Sequence, residues 1–369
     1  MSTAYSGDGI TFPDSTVQAT APKVGMVNRL INSDMRIDQR NSGAAVTATL
    51  GAYGVDRWLP QENNGSTVTA QQSTTSPAGF TNSLLLTAST GATSTSVQVT
   101  RVQQRIEGLN TSDLAWGTAN AQTVTVSFWV RSSVTGTYCF GFMNSAQDRA
   151  YAAEYSISVA DTWEYKTITI AGDTSGTWLT TNGIGINCLW DLGSGSDYNQ
   201  TGGSWSGTND WKTSNQVNWV GNTGATFYLT GVQLEKGSTA TDFEYVDYGR
   251  QLQMCQRYYC KSFSTNTVPA DGAAGAINTT CGPYNATSAY VSGIISYPVV
   301  MRVNPSVVFY SAGVGTGVWD IYKGSWVGTT TTSVNVPSST YLIIYVASSG
   351  MASWAAYLVA GQFTASAEL

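Results

Sequence analysis

The stretch TVTVSFWVR, residues 123–131, alternates apolar and polar side chains with a period of two. Val124, Val126, Phe128 and Val130 share one face, and Trp129 lies with threonine, serine and arginine on the other. Successive side chains of a β-strand point to opposite sides, so this pattern predicts a strand with one buried face.

Similar segments recur on both sides of this strand, between turn signals. They are YGVDRWL (53–59), NSLLLTA (82–88), GIGINCLW (183–190) and ATFYLTGVQLEKG (225–237). The segment EYSISVADTWEYKTITI (154–170) predicts a β-hairpin that turns near Asp161. Short strands at this spacing, with no helical pattern between them, predict an all-β fold, an antiparallel jelly-roll β-sandwich of two sheets.

One segment has the periodicity of a helix. In YGRQLQMCQRYYCKSF, residues 248–263, Tyr248, Leu252, Cys255 and Tyr259 follow one another at i, i+4, i+7 and i+11. This spacing forms one stripe along a helix and predicts a short connecting helix. The helix either docks on one sandwich or also contacts neighbouring copies of the chain.

These patterns divide the chain into four parts. They are an N-terminal segment (1–26), the jelly-roll domain (27–247), the connecting helix (248–263) and a second, smaller β-sandwich domain (264–369). In the last domain, YLIIYVAS (341–348) and YLVAGQF (357–363) lack the charges and prolines that protect edge strands. A domain this small is marginal alone, so we expect association between copies to cover such surfaces.

Charge and composition exclude several classes of function. Charged residues make up 11% of the chain, the net charge is −6 and lysine and arginine are scattered. A nucleic acid or an anionic membrane is therefore not an expected partner. A run of 18 apolar residues is absent from the sequence, so we expect no membrane insertion. The first 20 residues lack the basic and apolar regions of a signal peptide, and we expect synthesis without one.

The sequence contains no histidine, which excludes Ser-His-Asp and Cys-His nucleophiles and histidine-ligated metals. A pair of carboxylates remains a possible route to hydrolysis. The candidates are Glu107, Glu154, Glu164, Glu235 and Glu244. Most alternate with apolar residues as solvent-facing strand positions, so we expect no enzyme activity. The five cysteines are scattered without a CxxC motif, and we expect reduced, buried thiols.

Several segments together resemble a family of bacteriophage tail-fibre and virion appendage proteins. They are NRLINSDMRIDQR (28–40), QRIEGLNTSDLAWGTANAQTVTVSFWVRSS (104–133), ITIAGDTSGTW (168–178), ATFYLTGVQLEKGSTATDFE (225–244) and CQRYY (255–259). The opening GITFPDSTVQATA (9–21) and the ending FTASAEL (363–369) resemble the first segments and last strand of such fibres.

The central module of that family is similar to a carbohydrate-binding jelly roll. The resemblance implies a receptor-binding component of the virion, in a tail or other appendage, that presents this domain to host cell-surface glycans. It also implies a homotrimer that meets through the 248–263 helix and the C-terminal domain, with residues 1–26 attached to other tail or baseplate proteins. The alternatives are a purely structural virion protein, such as a decoration or collar fibre, and a polysaccharide depolymerase.

The loop LGSGSDYNQTGGSWSGTNDW, residues 192–211, is the first candidate glycan site. Sugars stack their CH faces on aromatic rings and bond their hydroxyls to amides and carboxylates. The loop supplies both kinds of group in Asp197, Tyr198, Asn199, Trp205, Asp210 and Trp211. We expect Trp205 to anchor the loop to the sheet, since a loop of this length needs a buried group to be ordered. Trp211 and Tyr198 are then the better ligand platforms.

Three further expectations concern other aromatic and acidic residues. Trp129 could be a sugar platform on the concave face of the jelly roll, but we expect a crossing loop to cover it. Trp319, Asp320, Tyr322 and Trp326 form a second candidate site, either at a receptor-binding tip or at a subunit interface. By analogy with jelly rolls, a structural Ca²⁺ near the rim would find oxygen ligands in Asp242 and Glu244, and the sequence indicates no other cofactor.

Overall fold

A computed structural model describes residues 4–6, 9–11, 17–18, 26–49, 51–285, 287–291, 294–351 and 355–369. Three short strands near the N-terminus form a small antiparallel sheet: β1 (Ala4–Ser6), β2 (Gly9–Thr11) and β3 (Val17–Gln18). The remaining residues before Met26 lie outside the described part of the chain. The role of residues 1–26 in virion attachment stays a prediction.

Twelve strands build the first β-sandwich. They are β4 (Val46–Thr47), β5 (Leu59–Glu62), β6 (Thr67–Ser73), β7 (Ser83–Thr90), β8 (Thr100–Glu107), β9 (Val124–Ser132), β10 (Gly136–Met143), β11 (Ala150–Ile157), β12 (Glu164–Ile170), β13 (Ile184–Asp191), β14 (Trp205–Ser206) and β15 (Thr226–Lys236). Sheet I has the order β12-β9-β15-β7-β6-β4, and sheet II has the order β14-β11-β10-β13-β8-β5. Short 3₁₀ turns lie at Gly108–Asn110, Ser112–Leu114, Ser196–Tyr198 and Trp219–Gly221.

Strand β9 confirms the prediction made from its alternation. Val124, Val126, Phe128 and Val130 are all completely buried between the two sheets. The core they enter is rich in aromatic rings, such as the Trp58–Trp190 pair with centroids 5.4 Å apart. Burial of large apolar side chains is the main stabilising term in such a core, at about 25 cal/mol per Å². The all-β class and the jelly-roll sandwich are therefore as the sequence indicated.

The hairpin predicted at residues 154–170 is wrong. Its two strands are adjacent along the chain but lie in different sheets, because β11 pairs with β10 in sheet II and β12 pairs with β9 in sheet I. The segment between them crosses from one sheet to the other near Asp161. Alternation identified the inward side chains of both strands, but it carries no information on which neighbour each strand pairs with.

The helix α1 (Tyr248–Gln256) is shorter than the predicted 248–263 segment. Asp247 caps it by accepting a hydrogen bond from the backbone N–H of Arg250 at 2.9 Å. Tyr259, expected on the helix stripe, instead opens strand β16 (Tyr259–Lys261) and is buried. The predicted helix is wrong beyond Gln256, because residues 259–261 form a strand that pairs with the last strand of the chain.

The helix docks on the first sandwich. Cys255 is buried in a cluster with Ile31, Ile37 and Tyr258, and Leu252 packs against the edge of that cluster. Tyr248 lies outside it with 47% of its surface exposed. The docking alternative is therefore what this structure contains, and contact with neighbouring copies stays a prediction that rests on Tyr248 and its exposed surroundings.

In the described part of the chain, ten strands form one connected sheet in the second, smaller β domain. Besides β16 they are β17 (Ile277–Asn285), β18 (Ser288–Val291), β19 (Ile295–Ser296), β20 (Ser306–Ser311), β21 (Asp320–Tyr322), β22 (Trp326–Gly328), β23 (Thr331–Val336), β24 (Tyr341–Ala347) and β25 (Tyr357–Ser366). β24 pairs with β18, β19 and β23, and β25 pairs with β16, β17, β20 and β21. Neither strand has a free edge, so the expectation that both need a neighbouring copy to cover them is wrong.

Ion pairs join the first β domain to the connecting segment and to the second β domain. Glu107 at the end of β8 accepts two hydrogen bonds from Arg257, at 2.6 and 2.9 Å, and one from the hydroxyl of Tyr258 at 2.7 Å. Glu368, near the end of the second domain, accepts hydrogen bonds from Arg40 and Arg57 of the first. Removal of one partner of such a pair lowers the stability of the fold, since the other charge is left buried without a counter-charge.

Three further findings concern the described residues. No helix there is long and apolar enough to cross a membrane, and α1 has nine residues. All five cysteines are free and buried, which confirms that prediction. No group of three or more acidic or cysteine side chains comes together there as a possible metal site.

Candidate functional site

A groove lined by aromatic side chains crosses the outer face of sheet I. We call it the aromatic groove; its lining comprises Ala78, Phe80, Ser127, Trp129, Tyr165, Gly231, Thr241, Asp242, Phe243 and Tyr245. Its volume is about 740 Å³, within the range of about 300–1,000 Å³ that is usual for ligand sites.

One wall of the groove is the ring pair on strands β9 and β12. The ladder sets Trp129 directly opposite Tyr165, and their ring centroids are 5.3 Å apart at an interplanar angle of 48°. Trp129 is half-buried and Tyr165 is 45% exposed, so both rings present surface to the groove. Trp129 is therefore covered only in part, and the uncovered part of its ring leaves room for its alternative role as a platform.

The other wall combines three rings from two loops. Phe80 lies 5.1 Å from Phe243 and 5.7 Å from Tyr245, measured between ring centroids. The hydroxyl of Tyr245 donates to the carbonyl oxygen of Gly79 at 3.1 Å, which fixes a ring that is 60% exposed. An exposed aromatic cluster held in this way is a typical binding surface.

Gly231 forms the floor between the two walls. Strand β15 shifts its register between Thr230 and Gln233, and Gly231 has a φ of +58° at that irregularity. A Cβ atom at this position would lie 2.6 Å from Cζ of Phe80 and 3.1 Å from Cδ1 of Trp129. Only glycine allows both rings to approach the strand so closely.

A buried polar network holds the 241–245 segment against the sheet. Glu235 accepts a hydrogen bond from the backbone N–H of Thr241 at 2.7 Å and another from the Gln233 amide at 2.9 Å. The Gln233 amide oxygen in turn accepts from the backbone N–H of Glu244 at 2.8 Å. Glu235 and Gln233 are each 1% exposed, so buried hydrogen bonds hold the backbone that carries the rings of Phe243 and Tyr245.

One of the two loop tryptophans has the role expected of it, and the other does not. Trp205 anchors the loop as predicted: it packs against Trp116 and Trp178 at centroid distances of 5.3 and 5.4 Å, and its Nε1–H donates to the carbonyl of Ala171. Trp211 is 1% exposed, so the expectation that it offers a platform to a ligand is wrong. Its ring packs against apolar side chains on the outer face of sheet II, Met143 and Leu189, and is buried there.

Trp211 is the centre of a stack of three flat groups. Its ring lies 3.9 Å from that of Tyr198, and the guanidinium of Arg101 lies 4.3 Å from its centroid. The indole Nε1–H donates to a carboxylate oxygen of Asp191 at 2.9 Å. Tyr198 is half-buried and donates its hydroxyl to the carbonyl of Val97 at 2.9 Å. The two proposed ligand platforms, Tyr198 and Trp211, therefore lie together but stack on each other.

The polar candidates of the loop are not gathered into one site. Asp197 is exposed, whereas Asn199 accepts a hydrogen bond from the Lys212 ammonium at 2.5 Å. Asp210 accepts a hydrogen bond from Thr208 within its own turn. Asn199 and Asp210 therefore make local contacts that stabilise the loop.

In the second domain, two of the four candidates belong to the core. Trp319 is completely buried and donates its Nε1–H to the carbonyl of Gln362 at 3.1 Å. Asp320 is 1% exposed and accepts hydrogen bonds from the backbone N–H groups of a glycine-rich turn, including Gly315 at 2.8 Å. The expectation that these two lie at a tip or interface is wrong, because the core of the second domain buries Trp319 and the glycine-rich turn encloses Asp320. Tyr322 and Trp326 remain exposed, with centroids 5.5 Å apart.

The glutamate candidates are engaged in structural contacts. Burial opposes ionisation of Glu107, but hydrogen bonds from Arg257 and Tyr258 outweigh it and hold the pKa of the carboxyl below its usual value. Burial likewise opposes ionisation of Glu164, and the contact with Lys166 keeps its pKa low. A glycosidase acid needs a raised pKa, so these two carboxyls are tuned in the opposite direction. Glu107 and Glu235 are also buried, contrary to the expected solvent-facing positions.

The remaining acidic candidates also have protein partners or open surroundings. Glu154 accepts hydrogen bonds from Thr213 and from Asn215, at 2.5 and 3.0 Å. Glu244 accepts from the backbone N–H of Asn28 at 2.7 Å, while Asp242 is exposed at the mouth of the aromatic groove.

Comparison with known proteins gives distant structural similarity. No protein-family model matches the chain, and no curated protein sequence matches it. Among solved structures, the enzymatically active domain of tailspike protein 4 of bacteriophage CBA120 matches 57% of this chain and 22% of its own, at 12% identity and a TM-score of 0.31. The chain therefore spans about a fifth of the length of that tailspike structure.

Two structures from Clostridium thermocellum are similar at the same level. The family 11 carbohydrate-binding module of the cellulase Lic26A-Cel5E matches 54% of this chain and 96% of its own, at 11% identity and a TM-score of 0.27. A CBM22–GH10 part of xylanase 10B, complexed with xylohexaose, matches 58% and 31%, at 13% identity and a TM-score of 0.28.

Proposed function

We propose that the chain is a non-catalytic attachment protein of a phage virion, which binds a neutral glycan of the host cell surface in the aromatic groove. The observation that carries this proposal is the pair of aromatic walls, Trp129 with Tyr165 and Phe80 with Tyr245, facing each other across Gly231. Rigid, partly exposed rings on both sides of an open groove suit the CH faces of pyranose units.

The electrostatics of the groove favour an uncharged sugar. Asp242 is the one charged side chain among its described lining residues, and Thr241 adds a hydroxyl group that donates to Glu235. A uronic acid or a phosphorylated sugar would meet a carboxylate with no lysine or arginine in the lining to compensate. A neutral hexose meets hydrogen-bond acceptors and donors without that repulsion.

The assignment to a virion is supported by the resemblance of residues 28–40, 104–133, 168–178, 225–244 and 255–259 to tail-fibre segments. In that setting the 1–26 segment joins other tail or baseplate proteins and the chain forms a homotrimer. Exposed apolar residues of the second domain, among them Val308, Trp326 and Leu358, are available for subunit contacts. Linked copies raise the avidity of weak glycan sites by about 10²–10⁴.

Substitution of the groove rings tests glycan binding. We expect Trp129→Ala and Tyr165→Ala to weaken binding to an array of bacterial surface glycans at least tenfold, about 1.4 kcal/mol, because each removes a stacking face. Trp163→Ala is the matched control, since Trp163 is also half-buried but packs against Tyr228 outside the groove. Unchanged glycan binding by both groove variants would refute the site.

Three further measurements separate the alternatives. Light scattering should give about three times the 39.1 kDa chain mass, and a stable monomer at micromolar concentration would refute the trimer. Release of reducing ends from host polysaccharide would identify a depolymerase instead. A purely structural virion protein would neither bind host cells nor slow phage adsorption.

A further inference from the structure

A second cavity lies on the opposite side of the sandwich, at the edge of sheet II. It has a volume of about 260 Å³ and is lined by Gln61, Glu62, Asn63, Val99 and Arg101. Strands β5 and β8 supply most of these residues, and the ladder sets Gln61 opposite Arg101. The backbone N–H of Val99 donates to the side-chain oxygen of Asn63 at 2.7 Å, which closes one end of the cavity. The cavity is thus a built feature of the fold, separate from the aromatic groove.

Arg101 is the unusual member of this lining. Its side chain is fixed by a hydrogen bond from Nε–H to the amide oxygen of Gln61 at 3.0 Å and by its stacking on Trp211 at 4.3 Å. Within the described part of the chain, Nη1 is buried without a hydrogen-bond partner. Arg101 as a whole is 8% exposed. The guanidinium of Arg101 is therefore stacked on a ring, buried, and surrounded by fewer hydrogen-bond acceptors than it has N–H groups.

The unpartnered Nη1 of Arg101 has a cost for the fold. A buried donor without a partner destabilises a fold by about 1–3 kcal/mol. Burial lowers the pKa of Arg101 to about 10, so the group still carries its charge at neutral pH. The stack of Arg101, Trp211 and Tyr198 uses two of the three aromatic residues of the 192–211 loop as a support for the guanidinium.

The partners in the cavity identify the class of ligand. Arg101 offers N–H donors, and the Glu62 carboxylate offers an acceptor, so the lining carries one charge of each sign and no net charge. A vicinal pair of sugar hydroxyls can accept from the first and donate to the second. The volume lies just below the usual range for ligand sites, which suits one sugar unit better than a chain.

We propose that this cavity is a second carbohydrate site, in which Arg101 donates to and Glu62 accepts from the vicinal hydroxyls of one neutral pyranose unit. The site does not depend on the aromatic groove, because the two lie on opposite sheets. A glycan receptor held at both sites would contact both faces of the sandwich.

The indole N–H signals of Trp211 and Trp129 report on the two sites separately. The full chain, labelled with ¹⁵N-tryptophan and assigned by single Trp→Phe variants, is titrated with the methyl glycosides of glucose, galactose and mannose. We expect at least one of these probes, at millimolar concentration, to shift the Trp211 signal through Arg101. Trp129→Ala should leave that shift unchanged. No shift of Trp211 with any of the three neutral probes would overturn the proposal.

Two variants and one charged probe sharpen the result. Glu62→Gln keeps an oxygen for the Asn64 backbone N–H that Glu62 now binds, but it removes the carboxylate, so we expect binding about tenfold weaker. Arg101→Lys keeps the charge and loses the planar fork, and it should abolish the shift. If Arg101→Lys does not fold, Glu62→Gln still decides the matter. Tighter binding of methyl glucuronide than of methyl glucoside would overturn the neutral class of ligand.

Discussion

Replacement of Gly231 by alanine tests whether the aromatic groove depends on the close approach of two rings to strand β15. Alanine in the left-handed region costs about 1–2 kcal/mol, and Gly231 has a φ of +58°. Its new methyl group would also lie 2.6 Å from Cζ of Phe80, so the ring must move. Overpacking of this kind costs about 1–3 kcal/mol. We therefore expect Gly231→Ala to lower the free energy of unfolding by about 3 kcal/mol in total.

Gly224 provides a matched control for the backbone contribution. It also lies in the left-handed region, with a φ of +84°, but a Cβ there would have no neighbour within 4 Å. Gly224→Ala should therefore cost about 1 kcal/mol, from backbone strain alone. The difference of about 2 kcal/mol between the two variants measures the contact with the rings.

The assay combines urea unfolding with glycan binding by the same preparations. Displacement of Phe80 breaks the wall that it forms with Phe243 and Tyr245, so Gly231→Ala should bind the glycan at least tenfold more weakly, whereas Gly224→Ala should bind normally. Equal stability of the two variants, together with unchanged binding by Gly231→Ala, would show that the rings do not rest on this glycine as described.

Three further predictions concern the framework around the sites. Glu107→Gln should cost about 2 kcal/mol at pH 7, because Arg257 loses its buried carboxylate partner. Since the pKa of Glu107 is lowered in the folded protein, its contribution is complete above its ordinary value of about 4.5 and is lost as the pH falls further, so urea unfolding of the two proteins should converge in acid. Trp205→Ala should lower the free energy of unfolding by about 3–5 kcal/mol in the same assay, through the cavity left beside Trp116. The five cysteines should react with a thiol reagent at the rate of unfolding, and rapid labelling of the native chain would contradict their burial.

The sequence predicted those features that depend on alternation within one strand. The inward residues of β9 are buried as expected. Features that depend on a distant partner were not predictable in the same way. The crossing between β11 and β12 follows from sheet pairing, and Tyr259 leaves the helix because β25 pairs with it.

The fate of the 192–211 loop follows from a surface that a single sequence does not display. Met143 and Leu189 point outward from sheet II and form an apolar patch, and Trp211 covers it. In the sequence both residues belong to strands that are apolar on each side, so nothing marks one face as needing a lid. The same pattern is typical of strands buried between two layers, and here the loop supplies the second layer.

The aromatic groove was missed for a related reason, although part of its signal is visible. Phe243 and Tyr245 alternate with Asp242 and Glu244 after the last strand of sheet I, in a segment with no core of its own to fill. The groove exists because this segment folds back over β15, where Gln233 and Glu235 bind its backbone from within the sheet. Two buried polar residues on the outward face of a strand are costly unless something satisfies them. Gln233 and Glu235 stand in a strand that otherwise alternates regularly, so they indicate that another part of the chain lies on that face. That part is the 241–245 segment, and its rings form one wall of the groove.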